Sequence, residues 1–189
     1  KIRIPTQREK GYEFVIKNIS TLISDICSSN GVELQNVGSI GIGLPGSIDP
    51  QTSIMINGNS EIFIGKNIID DLKNTLSYKN EIYIDNDANL FALAETYWGV
   101  GRVHEKKTGI VPQKQISIGI IIGTGCGGGI IIEGKQIRGR RGGGAEIGHT
   151  VLVTDGFECY CKRSGCAEQY ISGTGLERIY EEMNDGKKM

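Results

Sequence analysis

The stretch EIYIDNDANLFALAETYW, Glu81 to Trp98, carries the reading of the fold. Glu81–Ile84 is short, apolar and β-branched, so it is predicted to be a strand. Asn86–Trp98 places Phe91, Ala94 and Trp98 in helical register, so it is predicted to be a helix. The polar joint between them is DNDAN, Asp85 to Asn89. Strand alternating with helix argues for an α/β layer architecture.

Working toward the N-terminus, Val37–Leu44 reads as a buried strand, and Pro45-Gly46 forces a turn at its end. Ile54–Ile56 reads as a further short strand. Tyr12–Ser28 carries Val15, Ile19, Leu22 and Ile26 at helical spacing, and Gly31 ends that helix. Ile68, Ile69, Leu72 and Leu76 mark one face of another. Toward the C-terminus, Gly99–Lys114 is polar and glycine-containing and reads as a linker between two lobes. Gln115–Ile122 and Gly129–Ile132 read as a β-hairpin joined by GTGCGGG, with Glu133-Gly134 as the next turn. Gln136–Thr150 reads as a glycine-rich loop, followed by a short strand and a cysteine cluster. Gln169–Met183 reads as one helix.

Bulk composition narrows the function classes. The 189 residues carry 21 basic and 22 acidic side chains, a net charge of −1. That balance offers no attraction to nucleic acid or an anionic membrane. The arginines at 138, 140 and 141 read as a solvated or phosphate-facing loop rather than a nucleic-acid patch. The longest apolar run, Ile116–Ile122, is far short of the ~18 residues of a membrane span. Glycine is in excess, 28 residues, which signals left-handed backbone or close approach of chain to ligand. Three of the five cysteines lie within eight residues. Such clustering suits a metal site in a reducing compartment, so a cytoplasmic protein is expected.

Four constellations carry chemistry. The GTGCGGG loop, Gly123 to Gly129, can form a nest of backbone N–H groups for phosphate, with Thr124 adding a hydroxyl; alone it also reads as a flexible hairpin turn. Asp87 lies near a helix N-terminus, where it reads either as a cap or as a general base at the C-terminal end of a strand. His149 with Cys159, Cys161 and Cys166 fits a tetrahedral zinc site, the competing reading being buried free cysteines. Glu146 and Glu168 flank that cluster. They read as surface glutamates, or, if a metal gathers their segments, as carboxylates facing one cavity and accepting from vicinal hydroxyls.

Taken together the chain resembles the ROK family of repressors, open reading frames and kinases. The resemblance rests on GIGLPGSID (Gly41–Asp49), NGNS (Asn57–Ser60), IDNDANLFALAE (Ile84–Glu95), IGTGCGGGI (Ile122–Ile130), GGGAEIGH (Gly142–His149) and CYCKRSGCAEQYISG (Cys159–Gly173), in this order. It implies an actin-like, ribonuclease H-like α/β fold of two lobes around a cleft. Residues 1–110 would belong to the N-terminal lobe and 111–189 to the start of the C-terminal one. It implies transfer of the γ-phosphoryl of ATP to a hexose or N-acetylhexosamine hydroxyl, with Mg²⁺. Carried over, Asp87 is the base, and Gly46, Asn59, Asn86, Glu146, His149 and Glu168 line the sugar site. Gly123, Thr124 and Gly125 meet phosphate, and His149, Cys159, Cys161 and Cys166 hold Zn²⁺. A small-molecule sugar and ATP are the expected partners, with a homodimer and no membrane.

Two residues depart from the family pattern. Lys162 follows the CxC where glycine is usual, and Ala145 stands where glycine commonly precedes the glutamate. The family's first phosphate motif and its adenosine-facing segment are absent from these residues. The chain is therefore expected to be incomplete at both ends and not a competent kinase alone. The alternative reading is the sugar-sensing domain of a ROK-family repressor.

Overall fold

A computed structural model describes residues 1–188 other than 50, 59 and 141. The chain divides into two compact units, Lys1–Asp87 and Ala88–Met189.

In the first unit, helix α1 (Tyr12–Ser29) precedes strand β1 (Ser39–Leu44). A short hairpin, β2 (Ser47–Ile48) with β3 (Met55–Asn57), leads to α2 (Ile68–Leu76) and strand β4 (Glu81–Asn86). β1 and β4 are parallel, in register from Ser39 opposite Glu81 to Leu44 opposite Asn86. Asn67 caps α2, its side chain accepting from the Asp70 N–H at 3.2 Å. One core gathers Tyr12, Val15, Ile16, Leu44, Met55, Phe63, Ile68, Leu72, Tyr78 and Ile82. Of the predicted α1 stripe, Val15 enters it and Ile19 packs against it, while Ile26 is exposed. Burying each large apolar side chain there stabilises by roughly 1.5–3 kcal/mol.

The second unit is built on the predicted hairpin. β5 (Ile116–Ile122) pairs antiparallel with β6 (Cys126–Ile132), and β6 with the short β7 (Lys135–Gln136). The turn is tighter than GTGCGGG suggested. Only Gly123, Thr124 and Gly125 lie between the strands, and Gly127–Gly129 are part of β6. Helix α3 (Asp87–Tyr97) explains why. A Cβ on Gly129 would lie 2.7 Å from the Ala92 Cβ, and one on Gly119 would meet the same atom at 2.7 Å. On the opposite face of the pleat, a Cβ on Gly128 would lie 2.6 Å from Ile147 Cδ1. Alternation across the strand thus lets backbone approach from both sides.

Three expectations are corrected. The stretch Gly99–Lys114 is not an irregular linker, because Val100–Thr108 forms helix α4. Val100 and Val103 are exposed, so no apolar stripe announces the helix. Polar groups hold it instead. Arg102 pairs with Glu105 at 2.7 Å, and the Gln115 amide donates to the Gly101 and Ile110 carbonyls at 3.0 and 2.6 Å. The predicted helix Gln169–Met183 is two helices, α5 (Glu168–Ile171) and α6 (Gly173–Met183). Ser172 between them is extended and fully buried, and its hydroxyl accepts from the Gly175 N–H at 3.1 Å. The short strand expected after Thr150 is reduced to isolated bridges, Val151 with Cys166 and Glu158 with Ser164.

Candidate functional site

In the first unit, β1 ends in the Pro45-Gly46 turn. Gly46 has φ 132, and a Cβ there would lie 2.2 Å from the Asn57 carbonyl oxygen. Only glycine fits. Its own carbonyl accepts from the Asn86 side chain at 2.9 Å, and Asn57 Oδ1 accepts from the Ser47 N–H at 2.8 Å. Gly46, Asn57 and Asn86 are thereby knitted together at the C-terminal ends of the parallel strands, where open α/β sheets place ligands. Asp87 follows Asn86 directly as the first residue of α3 and is exposed. Its acidic side chain thus stands at the positive end of the helix dipole. Asn59 lies outside the described residues.

In the second unit, His149 ends the single helical turn Ile147–His149, which presses on β6 through Gly148. The bridge between Val151 and Cys166, with Ala167 N–H donating to the Thr150 carbonyl at 2.8 Å, brings the far end of the cysteine loop back to His149. Within that loop the Cys159 N–H donates to the Arg163 carbonyl at 2.8 Å, closing the CxC turn. The donor atoms of His149, Cys159, Cys161 and Cys166 all lie within 4.8 Å of one another. His149 Nδ1 is 3.5 Å from Cys159 Sγ, and Cys161 Sγ is 3.5 Å from Cys166 Sγ. A tetrahedral ion with Zn–S ≈ 2.3 Å and Zn–N ≈ 2.0 Å requires donor separations of about 3.4–3.8 Å. The donor set fits such a metal in type, and these two pairs already fit it in spacing.

The surroundings separate the thiols. Burial works against the Cys161 thiolate, but hydrogen bonds from Arg163 and the neighbouring thiols outweigh it and draw that thiol down to about 7. Burial and the adjacent thiols push Cys166 up to about 12. The Tyr160 hydroxyl lies 2.9 Å from His149 Nε2, with the two rings edge to face. Burial, with the Glu168 charge behind it, raises the Tyr160 phenol. Sequence reasoning passed over Tyr160. The signal was its place between two metal-type cysteines, where a bulky aromatic is hard to keep clear of the fourth donor.

Of the two flanking carboxylates, Glu146 is exposed and its carbonyl accepts from the His149 N–H at 3.1 Å. Glu168 is buried, and its Oε2 accepts from the Cys126 N–H at 2.8 Å, next to the glycine turn. Burial and that carboxylate push the Cys126 thiol up. The turn and Glu168 thus form one hydrogen-bonded group with the cysteine loop. Among the described residues no helix is long and apolar enough to cross a membrane.

A parallel βα joint with an acidic residue at its tip, together with a glycine hairpin, belongs to the α/β actin-like, ribonuclease H-like ATPase fold, and solved structures of that fold match this chain. The ROK family model matches residues 1–189, and the chain belongs to the ROK family. It is 34% identical over 188 residues to the N-acetyl-D-glucosamine kinase of Aliivibrio fischeri, covering 94% of this chain and 56% of that protein. It is 34% identical over 183 residues to the glucokinase of Thermotoga maritima, covering 96% and 52%. A ROK family glucokinase from Streptomyces griseus, solved in complex with glucose and AMPPNP, superposes with a TM-score of 0.75 at 30% identity, over 98% of this chain and 54% of that one. The chain spans about half the length of the curated relatives it matches.

Proposed function

We propose that this chain is part of an ATP-dependent sugar kinase acting on a hexose or N-acetylhexosamine hydroxyl. The observation that carries the reading is the close connection from the His149–cysteine cluster, two residues along the chain from Cys166 to Glu168, whose carboxylate accepts from the Cys126 N–H beside the Gly123–Gly125 turn. It places carboxylate and anion-type backbone side by side, as a sugar kinase needs. The similar kinases named above support the same reading. The repressor reading is not favoured, because the glycines of the turn are intact.

In this reading Asp87 accepts the proton of the sugar hydroxyl as its oxygen bonds to the γ-phosphorus of ATP, and the bond to the ADP oxygen breaks. Phosphoryl transfer asks the protein mainly for positioning and charge stabilisation, to which Mg²⁺ brought with the nucleotide would add positive charge. By the family resemblance Gly46, Asn59, Asn86, Glu146, His149 and Glu168 would line the sugar site, and Gly123, Thr124 and Gly125 would meet phosphate. His149, Cys159, Cys161 and Cys166 would hold a zinc ion, which with four protein donors would serve as a structural cross-link. Were Nδ1 to ligate it, Nε2 of His149 would carry the proton and could donate to Tyr160. We also place the lobe division of the whole protein near residue 110, a homodimer as its assembly, and the cytoplasm as its compartment; the free state of all five cysteines is consistent with the last.

The test is coupled ATP turnover by the intact protein with a panel of hexoses and N-acetylhexosamines. Asp87→Asn should lose about 10²–10⁴ in turnover, the usual contribution of a general base, while still binding sugar. Turnover in that variant close to wild type removes the base assignment, and absence of sugar-dependent turnover in the wild type removes the kinase.

A further inference from the structure

The elbow between α5 and α6 holds the glycine turn at three points. The Gly173 N–H donates to the Gly123 carbonyl at 2.7 Å, and Thr174 Oγ1 donates to the Thr124 carbonyl at 2.8 Å. Glu168 Oε2 accepts from the Cys126 N–H at 2.8 Å. The Thr174 hydroxyl is itself fixed, because the fully buried Ser172 hydroxyl lies 3.1 Å from it. A hydroxyl has one hydrogen, so with Thr174 donating to Thr124, Ser172 donates to Thr174.

We propose that this elbow is a clamp that sets the conformation of the Gly123–Thr124–Gly125 turn, and that Thr174 is a positioning residue for the nucleotide phosphate the turn receives. The peptide unit is planar and trans, so a carbonyl and the N–H that follows it point in opposite directions. Drawing the Gly123 and Thr124 carbonyls toward the elbow therefore aims the Thr124 and Gly125 N–H groups away from it, side by side. Successive N–H groups so aimed make an anion-binding concavity. Turns containing glycine pass between peptide orientations at little steric cost, so the sequence GTG alone does not select this one. The clamp does. It leaves the chain two residues after Cys166, so the cysteine loop and the turn share one rigid connection.

The assignment of nucleotide to the turn rests on the proposed function; the clamp itself does not. The experiment compares the intact protein with Thr174→Val, which keeps the shape and loses the donor, and with Thr174→Ser, which keeps the donor. AMPPNP and sugar affinities are measured separately by calorimetry, and amide hydrogen exchange is followed over residues 123–126. Thr174→Val should bind AMPPNP about threefold to tenfold more weakly, the worth of one ordinary hydrogen bond. Its sugar affinity and metal content should be unchanged, and exchange at Thr124 and Gly125 should be faster. Thr174→Ser should restore both the AMPPNP affinity and the slower exchange. Wild-type AMPPNP affinity in Thr174→Val, or a Thr174→Ser protein as weak as the valine variant, overturns the positioning role. If the wild type itself binds no AMPPNP, the proposed function fails, and unchanged amide exchange in Thr174→Val then overturns the clamp on its own.

Discussion

The Tyr160 hydroxyl lies 2.9 Å from His149 Nε2, on the ring whose other nitrogen faces Cys159. Partners on the second nitrogen of a metal-binding histidine fix its tautomer and ring orientation. Tyr160→Phe should therefore weaken zinc affinity, by about tenfold at the low end of such effects because a phenol is a neutral partner. Competition against a chromophoric chelator reads this directly. Affinity equal to wild type would mean that the hydroxyl plays no part in holding the ring.

Ala145 and Lys162 adopt φ values of 76 and 67. They are also the two positions where the sequence carries a side chain in place of the family's glycine. A residue with a Cβ in the left-handed region costs roughly 1 kcal/mol or more, partly offset by the stiffer unfolded chain. Ala145→Gly and Lys162→Gly should each raise the melting temperature, by about 0.5–1 kcal/mol in stability. A fall in either variant's midpoint in a denaturant series would show that the side chain makes contacts worth more than the strain.

Gly129 tests the packing of α3 on the hairpin. An alanine there would place its Cβ 2.7 Å from Ala92 Cβ and 2.9 Å from the Ala88 carbonyl. One of these elements must shift, at a cost of about 1–3 kcal/mol. Urea unfolding of Gly129→Ala should show that loss. A change below about 0.5 kcal/mol would mean the helix rides loosely on the strand.

Tyr12 gives a pH dependence of known sign. Burial, then the hydrogen bond its hydroxyl donates to Asp71 and that residue's charge, raise the phenol well above its ordinary value of 10. The unfolded chain ionises first. Tyr12 therefore contributes stability that is whole below pH ~10 and is lost as pH rises beyond it. The stability advantage of wild type over Tyr12→Phe should shrink through that range in thermal melts. A constant difference would mean that the phenol is not held neutral by Asp71.

Much of this molecule was legible in its residues. Helix α1 follows from its helical spacing and strand β4 from its short apolar run, each of which buries part of its apolar side chains. The β5–β6 hairpin follows from its β-branched runs alone, since Ile116, Ile118, Ile120 and Ile122 are exposed. The gathering of His149 with Cys159, Cys161 and Cys166 was legible because thiols and imidazole at that spacing have few other uses. Helix α4 was not, because Arg102, Glu105 and Gln115 hold it where periodicity expects apolar side chains. The break at Ser172 was hidden because its cause, a buried hydroxyl accepting from the Gly175 N–H, is a contact that spacing does not show. Nor did the sequence reveal that Gly127–Gly129 serve contact with α3 and Ile147 more than the loop. A glycine tells where room is needed, but its neighbour is named only by the folded chain.

The abrupt change of direction at Ser172 makes the second unit sensitive to length. An α-helix turns by about 100° per residue. Adding or deleting one residue between Gln169 and Thr174 would swing the threonine to another side of its axis and pull it off the carbonyl it now meets. Substitution can be absorbed there; a change of register cannot. Natural variation in this segment should run to exchanges of side chain at constant spacing, with insertions displaced to the glycine-rich loop upstream of Glu146.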